Sequence, residues 1–158
     1  MSEEISKENT IENTIEEKYL IFLIQDKRFA LPSKFISEVA VLEKVFPLPL
    51  TPDYVKGIIN RYSMPYALID INFLLHKEAS KAGKLIILKE EVDKLALMID
   101  DVSDIADLSI EKLLKIDHED AVSASISSFF EWKGNHVFLF DTEELINLIK
   151  RDFIPQAA

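Results

Sequence analysis

Two stretches of this chain carry nearly the same pattern. Lys18-YLIFLI-QDKR-Phe29-Ala30-Leu31 recurs as Lys84-LIILKEEVDK-Leu95-Ala96-Leu97, and Ile36-Ser37-Glu38-Val39 recurs as Val102-Ser103-Asp104-Ile105, both at an offset of 66 positions. Farther on, YALIDINFLL (Tyr66 to Leu75) matches VFLFDTEELI (Val137 to Ile146), which aligns Asp70 with Asp141. A repeated order of buried and exposed positions dictates the same elements twice. The polar segment HKEASKAG divides the copies.

Each copy reads as β structure. Short runs rich in Ile, Leu, Phe and Val alternate with charged turns, and YLIFLI and RFAL flank QDK as a hairpin. VAVL, GIINRY, YALIDI, KLIILK, KLALMI, ISSFFEW and HVFLF are further expected strands, the last two joined by Lys133, Gly134 and Asn135. The clearest helix runs from Asp141, a capping residue with Glu144 three positions on, to Phe153, with Leu145, Ile146, Leu148 and Ile149 on one face. The expectation is an all-β fold of two similar five-stranded barrels, about 18–76 and about 84–141, with short helices and a C-terminal helix over about 142–153. A small barrel closes its own sheet edges, which favours two barrels over one sandwich. Phe22, Phe29, Phe129, Phe138 and Phe140 alternate as core residues would.

Composition narrows the function. The net charge of -10 disfavours nucleic acid, whose phosphates need a basic face. Half of that excess lies in MSEEISKENTIENTIEE, with six Glu and one Lys, so residues 1–17 read as a solvated acidic tail ahead of a folded 18–158. A secretory leader needs a basic start and then an apolar run, and no run approaches the ~20 residues of a bilayer span, so the expectation is a cytoplasmic protein with no direct membrane insertion. The absence of cysteine removes thiolate and zinc-thiolate chemistry.

Catalytic motifs fare poorly. Asp70 and Asp141 at matching positions suggest an aspartic-protease dyad, but that site needs a small hydroxyl residue and a Gly after each Asp, whereas Asp70-Ile71-Asn72 and Asp141-Thr142-Glu143 stand here. A cap on the following helical turn is the simpler role. Asp117-His118-Glu119-Asp120 has metal-ligand types, yet adjacent positions cannot converge on one ion, and a solvated loop is expected. His76 and His136 stand alone. Three glycines, Gly57, Gly83 and Gly134, cannot build a P-loop or a dinucleotide fingerprint, and no Ser sits in a nucleophile elbow. No enzyme, metal or cofactor is expected. Phe46, Leu48, Leu50 and Tyr54 in VFPLPLTPDYVKG lie instead on a proline-stiffened segment, which loses little entropy on binding and suits docking.

The order YLIFLI, FALP, ISEV, PLTPDYVKGIIN and ALID, followed by IILKEEVDKLALMIDDVSDI, resembles the CheW family, the chemotaxis adaptors whose domain also forms the regulatory domain of the histidine kinase CheA. The resemblance runs from about Tyr19 to Ile149. It implies two five-stranded barrels on a shared apolar interface and a non-enzymatic coupling protein. Its implied partners are the CheA regulatory domain and the cytoplasmic tip of a methyl-accepting chemoreceptor, in arrays at the inner membrane. It places receptor contacts or their support at Ile36, Glu38, Val39, Gly57, Ile58 and Asn60. The docking segment with Phe46, Leu48, Leu50 and Tyr54 is assigned to the kinase. Plain barrel core is the alternative role for Ile36 and Val39, and close backbone approach for Gly57.

The match departs at one place. Family members usually read Asn-Leu-Arg-Gly where this chain has Asn60-Arg61-Tyr62-Ser63, so Tyr62 takes the Arg place and Ser63 the Gly place. Arg61 and Tyr62 are expected to form an altered receptor-facing patch. A CheW-like scaffold of a non-flagellar chemosensory pathway, with altered or lost receptor binding, is the second reading, and a hydrolase using Asp70 and Asp141 the third.

Overall fold

The computed structural model describes residues 15–81, 83–116 and 124–153. The first copy forms β1 (Glu16–Ile24), β2 (Lys27–Pro32), β3 (Ile36–Val41), β4 (Val55–Arg61), β5 (Met64–Asp70) and a short α1 (Ile71–His76). The second forms β6 (Lys84–Leu88), β7 (Leu95–Ile99), β8 (Asp101–Ser109), β9 (Leu114–Lys115), β10 (Ile126–Trp132), β11 (Asn135–Phe140) and α2 (Thr142–Phe153). Residues 1–14 of the expected tail and the cluster 117–120 lie outside the described residues. Glu16 and Glu17 do not belong to a tail: they open β1, opposite Ser109 and Leu108.

Two sheets result, and they do not follow the halves. One has the order β8-β1-β2-β11-β10-β9, the other β3-β6-β7-β5-β4. The hairpin β1-β2 of the first copy therefore sits among strands of the second, and the hairpin β6-β7 sits among strands of the first. This corrects the expectation of one barrel from 18–76 and another from 84–141. The physical reason lies where each hairpin ends: a single 3-10 turn, Ser33–Phe35, redirects the chain after β2, and Asp100 alone separates β7 from β8. Strand periodicity is the same whichever sheet a hairpin joins. The first sheet also has six strands rather than five, because the two-residue β9 adds to β10.

The duplication extends to register. Ala67 pairs with Leu95 and Leu68 with Ala96 in the parallel β5-β7 ladder, as Phe138 pairs with Phe29 and Leu139 with Ala30 in β11-β2. A bulge falls between Ile36 and Glu38 on β3, and its counterpart falls where Ile21 and Phe22 face Asp104 and Val102 on β8. Bulges bend strands and sharpen their twist, so equal bulges give two sheets of like curvature.

Strand alternation divides the apolar residues among three clusters. From β1, Leu20, Phe22 and Ile24 enter a central cluster, while Tyr19 and Ile21 face the interior of their own sheet. From β6, Ile86 and Leu88 enter the same central cluster, and Leu85 and Ile87 line the interior of the other sheet. Both faces of the central strands are thus buried, which explains their near-continuous hydrophobic runs. Phe22, Phe29 and Phe140 stack in the centre, with Phe22 and Phe140 rings 6.2 Å apart. Phe129 and Phe138, expected in the core, are only half-buried. The helix α2 caps the central cluster with Leu145, Ile146, Leu148 and Ile149. Asp141 accepts from the Glu144 amide at 3.1 Å, as Asp70 accepts from the Phe73 amide at 3.2 Å.

Candidate functional site

The strands β3 and β4 are opposite edges of the five-stranded sheet, yet a side-chain pair joins them. Arg61, the last residue of β4, donates to Glu38 of β3. The sheet therefore curls far enough for side chains of its two edge strands to touch, a barrel-like curvature. Glu38 holds the guanidinium in its charged form, above its already high ordinary pKa, and the cation lies 5.2 Å from the centre of the Tyr62 ring. The other sheet has the corresponding tie: Trp132, the last residue of β10, donates Nε1 to Asp104 of β8 at 2.9 Å, and Lys133 Nζ reaches the same carboxylate at 2.9 Å. These contacts hold the Asp104 carboxyl down at about 2, the Trp132 hydrogen bond first and Lys133 next.

Beyond Arg61 the chain reverses through Tyr62 and Ser63, both with positive φ (51° and 63°). The turn is of the left-handed two-residue kind that suits the twist of a hairpin. Its counterpart is Lys133 and Gly134, at 49° and 80°. A non-glycine residue in this region costs on the order of 1–3 kcal/mol, and asparagine and glycine bear it best. Strand alternation ends at Arg61, so Tyr62 belongs to the turn and projects outward, 83% exposed.

The segment between β3 and β4 is fastened to β4 by one two-way bridge. Phe46 and Ile58 exchange backbone hydrogen bonds, each 2.8 Å. Gly57, at φ 139°, lies beneath this crossing: a Cβ there would stand 2.3 Å from the Phe46 carbonyl oxygen. Its role is close approach of two backbones. The bridge holds Phe46, Leu48 and Leu50 outward, Leu50 with no burial at all and at φ 59°. Lys44 Nζ sits over the Phe46 ring at 4.8 Å.

A groove of about 280 Å³ between this segment and β4 is lined by Val41, Glu43, Lys44, Phe46, Ile59, Asn60, Arg61 and Leu85. It brings together Asn60 and Arg61 with Phe46, which the sequence had assigned to a different partner. Val39 stands exposed on β3, whereas Ile36 is half-buried against the central cluster and Ile58 is half-buried as well. Tyr54 does not belong to this face. It is 5% exposed within the central cluster and donates its hydroxyl to Asp152 of α2 at 2.6 Å; burial and that hydrogen bond hold the phenol well above its ordinary pKa. Together with the Lys150–Asp93 pair it moors the C-terminal helix. Sequence reasoning read Tyr54 as surface because a proline-rich stretch precedes it, but Val55 next to it already opens a strand.

Residues outside the sequence expectation also face outward. Val41 and, in the second copy, Ile105, Ile110 and Leu114 are exposed. The repeat held the signal for one of them: Ile105 lies 66 positions after Val39. Asp70 and Asp141 are both committed to the chain itself. Asp70 is fully buried and accepts from the Phe73 and Ser80 amides, and Asp141 caps α2. Among the described residues no group of three metal-ligating side chains converges, and no helix is long and apolar enough to cross a membrane.

A family model described as the CheW-like domain matches residues 18–150. No curated protein sequence matches the chain. Among solved structures, the scaffolding protein TtCheW from Thermoanaerobacter tengcongensis superposes with a TM-score of 0.70 at 18% identity, covering 80% of this chain and 85% of that one.

Proposed function

The chain belongs to the CheW-like domain family, and from that premise we propose that it is a non-enzymatic chemotaxis adaptor that couples chemoreceptor cytoplasmic tips to the histidine kinase CheA. The family match over residues 18–150 carries this reading. Support comes from the surface: apolar side chains stand exposed on β3 and on the bridged segment after it, in a chain whose repeated carboxylates Asp70 and Asp141 are spent as caps. Apolar residues held outward by a fixed backbone suit protein docking, since little ordering remains to be done on association.

In this reading Glu38, Val39, Asn60, Arg61 and Tyr62 face the receptor, with Ile36, Gly57 and Ile58 as their support. Phe46, Leu48 and Leu50 face the kinase. The chain itself is cytoplasmic and is recruited to receptor arrays at the inner membrane. Each contact covers on the order of 800 Å² per partner, as in a standard interface. The test is capture of the CheA regulatory domain and of a receptor cytoplasmic fragment, each offered separately to the full chain. Binding of both is the expected result, and binding of neither would end the adaptor reading.

A second reading rests on Asn60-Arg61-Tyr62-Ser63, where the family's usual Asn-Leu-Arg-Gly is altered. If the kinase domain is captured and no receptor fragment is, the chain serves as a CheW-like scaffold that has lost or changed its receptor, as in a non-flagellar chemosensory pathway.

A further inference from the structure

Neither half of this chain can complete a sheet by itself. In the order β3-β6-β7-β5-β4, the hairpin of residues 84–99 from the second half fills the gap between β3 and β5 of the first. In the order β8-β1-β2-β11, the hairpin of residues 16–32 from the first half fills the gap between two strands of the second. Without the other half, each sheet would keep two unpaired strand edges facing an empty slot. The central cluster is shared in the same way, since Leu20, Phe22 and Phe29 of the first half pack there with Leu97, Phe140 and Leu145 of the second.

The contacts that join the halves are indifferent to which molecule supplies each one. Only residues 77–83, between the end of α1 and the start of β6, commit a half to its own partner. That connection is tethered to both sides. The Ser80 amide donates to Asp70 of the first half at 2.9 Å, and the Ser80 hydroxyl donates to Asp100 of the second at 3.1 Å. The Leu42 amide donates to the Gly83 carbonyl at 2.6 Å.

We propose that two molecules of this chain exchange halves, with residues 77–83 as the hinge. In the exchanged dimer, residues 15–76 of each molecule assemble with residues 84–153 of the other, so both sheets and the central cluster form twice with every ladder kept. Closed monomer and exchanged dimer then differ in the hinge alone. The Ser80 tethers and the high effective concentration of a tethered partner favour closure, whereas a hinge too short to close favours the dimer. Because the halves share one core, exchange takes place during refolding and not between native molecules.

Hinge length is therefore the variable to change. In the closed form the hinge retraces α1, about 9 Å of helix, to bring Ser80 back to the Asp70 cap, and then reaches Gly83 beside Leu42. Deleting Glu78 to Lys81 leaves Lys77, Ala82 and Gly83, which bridge at most about 15 Å. The reporter is a cysteine pair, Val41→Cys with Lys84→Cys, in a chain that has no cysteine of its own. These exposed positions face each other across β3 and β6, one in each half. The Leu42–Gly83 hydrogen bond makes theirs a non-hydrogen-bonded pair, with Cα atoms about 4.5 Å apart and within disulfide range. Their disulfide is internal in the closed monomer and joins two chains in the exchanged dimer.

The full chain carrying this pair is refolded from urea at rising concentrations, with and without the deletion, oxidised once folded, and read by size-exclusion chromatography and a non-reducing gel. With the deletion, nearly all folded protein is expected as a covalently linked dimer. With the natural hinge, the linked dimer is a minor fraction that rises about tenfold for a tenfold rise in concentration, because closure within one molecule does not depend on concentration. A deleted chain that closes as an internally linked monomer would overturn the proposal. So would a dimer whose chains part on the gel with their disulfides internal, since that dimer forms by surface contact. If the deleted chain does not fold, the natural hinge decides: a linked fraction absent at every concentration overturns the exchange.

Discussion

The two copies reach the same curled sheet by different chemistry. In the first, an ion pair, Arg61 with Glu38, ties edge to edge, and the turn beyond it is Tyr62-Ser63. In the second, an indole N–H and a lysine share Asp104, and the turn is Lys133-Gly134. Register, bulges and caps are held in common. The difference teaches that the tie and the turn are requirements of the fold, whereas the side chains at the first tip are free to be chosen for something else.

The sharpest way to break the comparison is through the core that both copies share. Phe22 lies in the central cluster, packed on Phe29 and Phe140, so Phe22→Ala is expected to cost about 3–5 kcal/mol. Because each sheet borrows its hairpin from the other half, the loss should lower one cooperative transition in urea. Two separated transitions, one per half, would show that the exchange of hairpins does not couple them.

A second difference lies at the crossing under the docking segment. Gly57 corresponds to Ser128 in the other ladder, since Gly57 pairs with Leu68 as Ser128 pairs with Leu139. Only Gly57 lies under a carbonyl that excludes a Cβ. Gly57→Ala should therefore cost roughly 2–3 kcal/mol, by the combined effect of clash and positive φ, and Ser128→Gly about 1 kcal/mol. Denaturant midpoints of the two variants measure this, and a Gly57→Ala protein as stable as wild type would show that the Phe46 bridge yields easily. In that case Phe46, Leu48 and Leu50 would not be held on a fixed backbone.

Much of this architecture is legible in the sequence, because buried alternation and Asp caps are local signals. The strands around Tyr19–Ile24, Leu85–Leu88 and Leu95–Ile99, the helix after Asp141 and the duplication itself need only neighbouring residues to specify them. What escapes is what depends on distant partners. β8 does not read as a strand because Asp101, Asp104 and Asp107 interrupt it, yet such charges are what an edge strand carries to discourage pairing with other chains. The hairpin exchange escapes because both copies have the same pattern and nothing local says which sheet a hairpin joins. In the docking face, Phe46 and Arg61 are individually visible, but their meeting in one groove depends on the Phe46–Ile58 bridge. Tyr54 is misread for the complementary reason: its partner Asp152 lies 98 residues away.

The two ties themselves give a smaller contrast. Arg61→Ala leaves Glu38 without its cation, at a site where both side chains keep about a quarter of their exposure (24% and 29%), so screening limits the loss to roughly 1 kcal/mol. Trp132→Phe removes one hydrogen bond to a solvent-exposed carboxylate and should likewise lower stability only slightly. Equal and small shifts in melting temperature would support equivalent roles. A much larger loss from Arg61→Ala would mean that the five-stranded sheet depends on its tie in a way the six-stranded one does not.

Acid separates the ties further. Asp104 is held down at about 2, against an ordinary value near 3.9 for aspartate, so its folded form holds the proton less readily than the unfolded chain does. A depressed carboxylate contributes stability above the unfolded pKa, and that contribution disappears as pH falls through the folded value. The contribution of Asp104 is therefore fully present above about pH 5 and is lost between roughly pH 4 and pH 2. In Trp132→Phe the largest of the forces on Asp104 is gone, and the carboxyl should titrate nearer its ordinary value, moving the onset of this loss to higher pH. Carboxyl chemical shifts followed by NMR between pH 5 and 2 measure it directly. An Asp104 that titrates identically with and without the indole would mean that Lys133 and the backbone alone hold the carboxylate, and that the six-stranded sheet is tied by charge as the five-stranded one is.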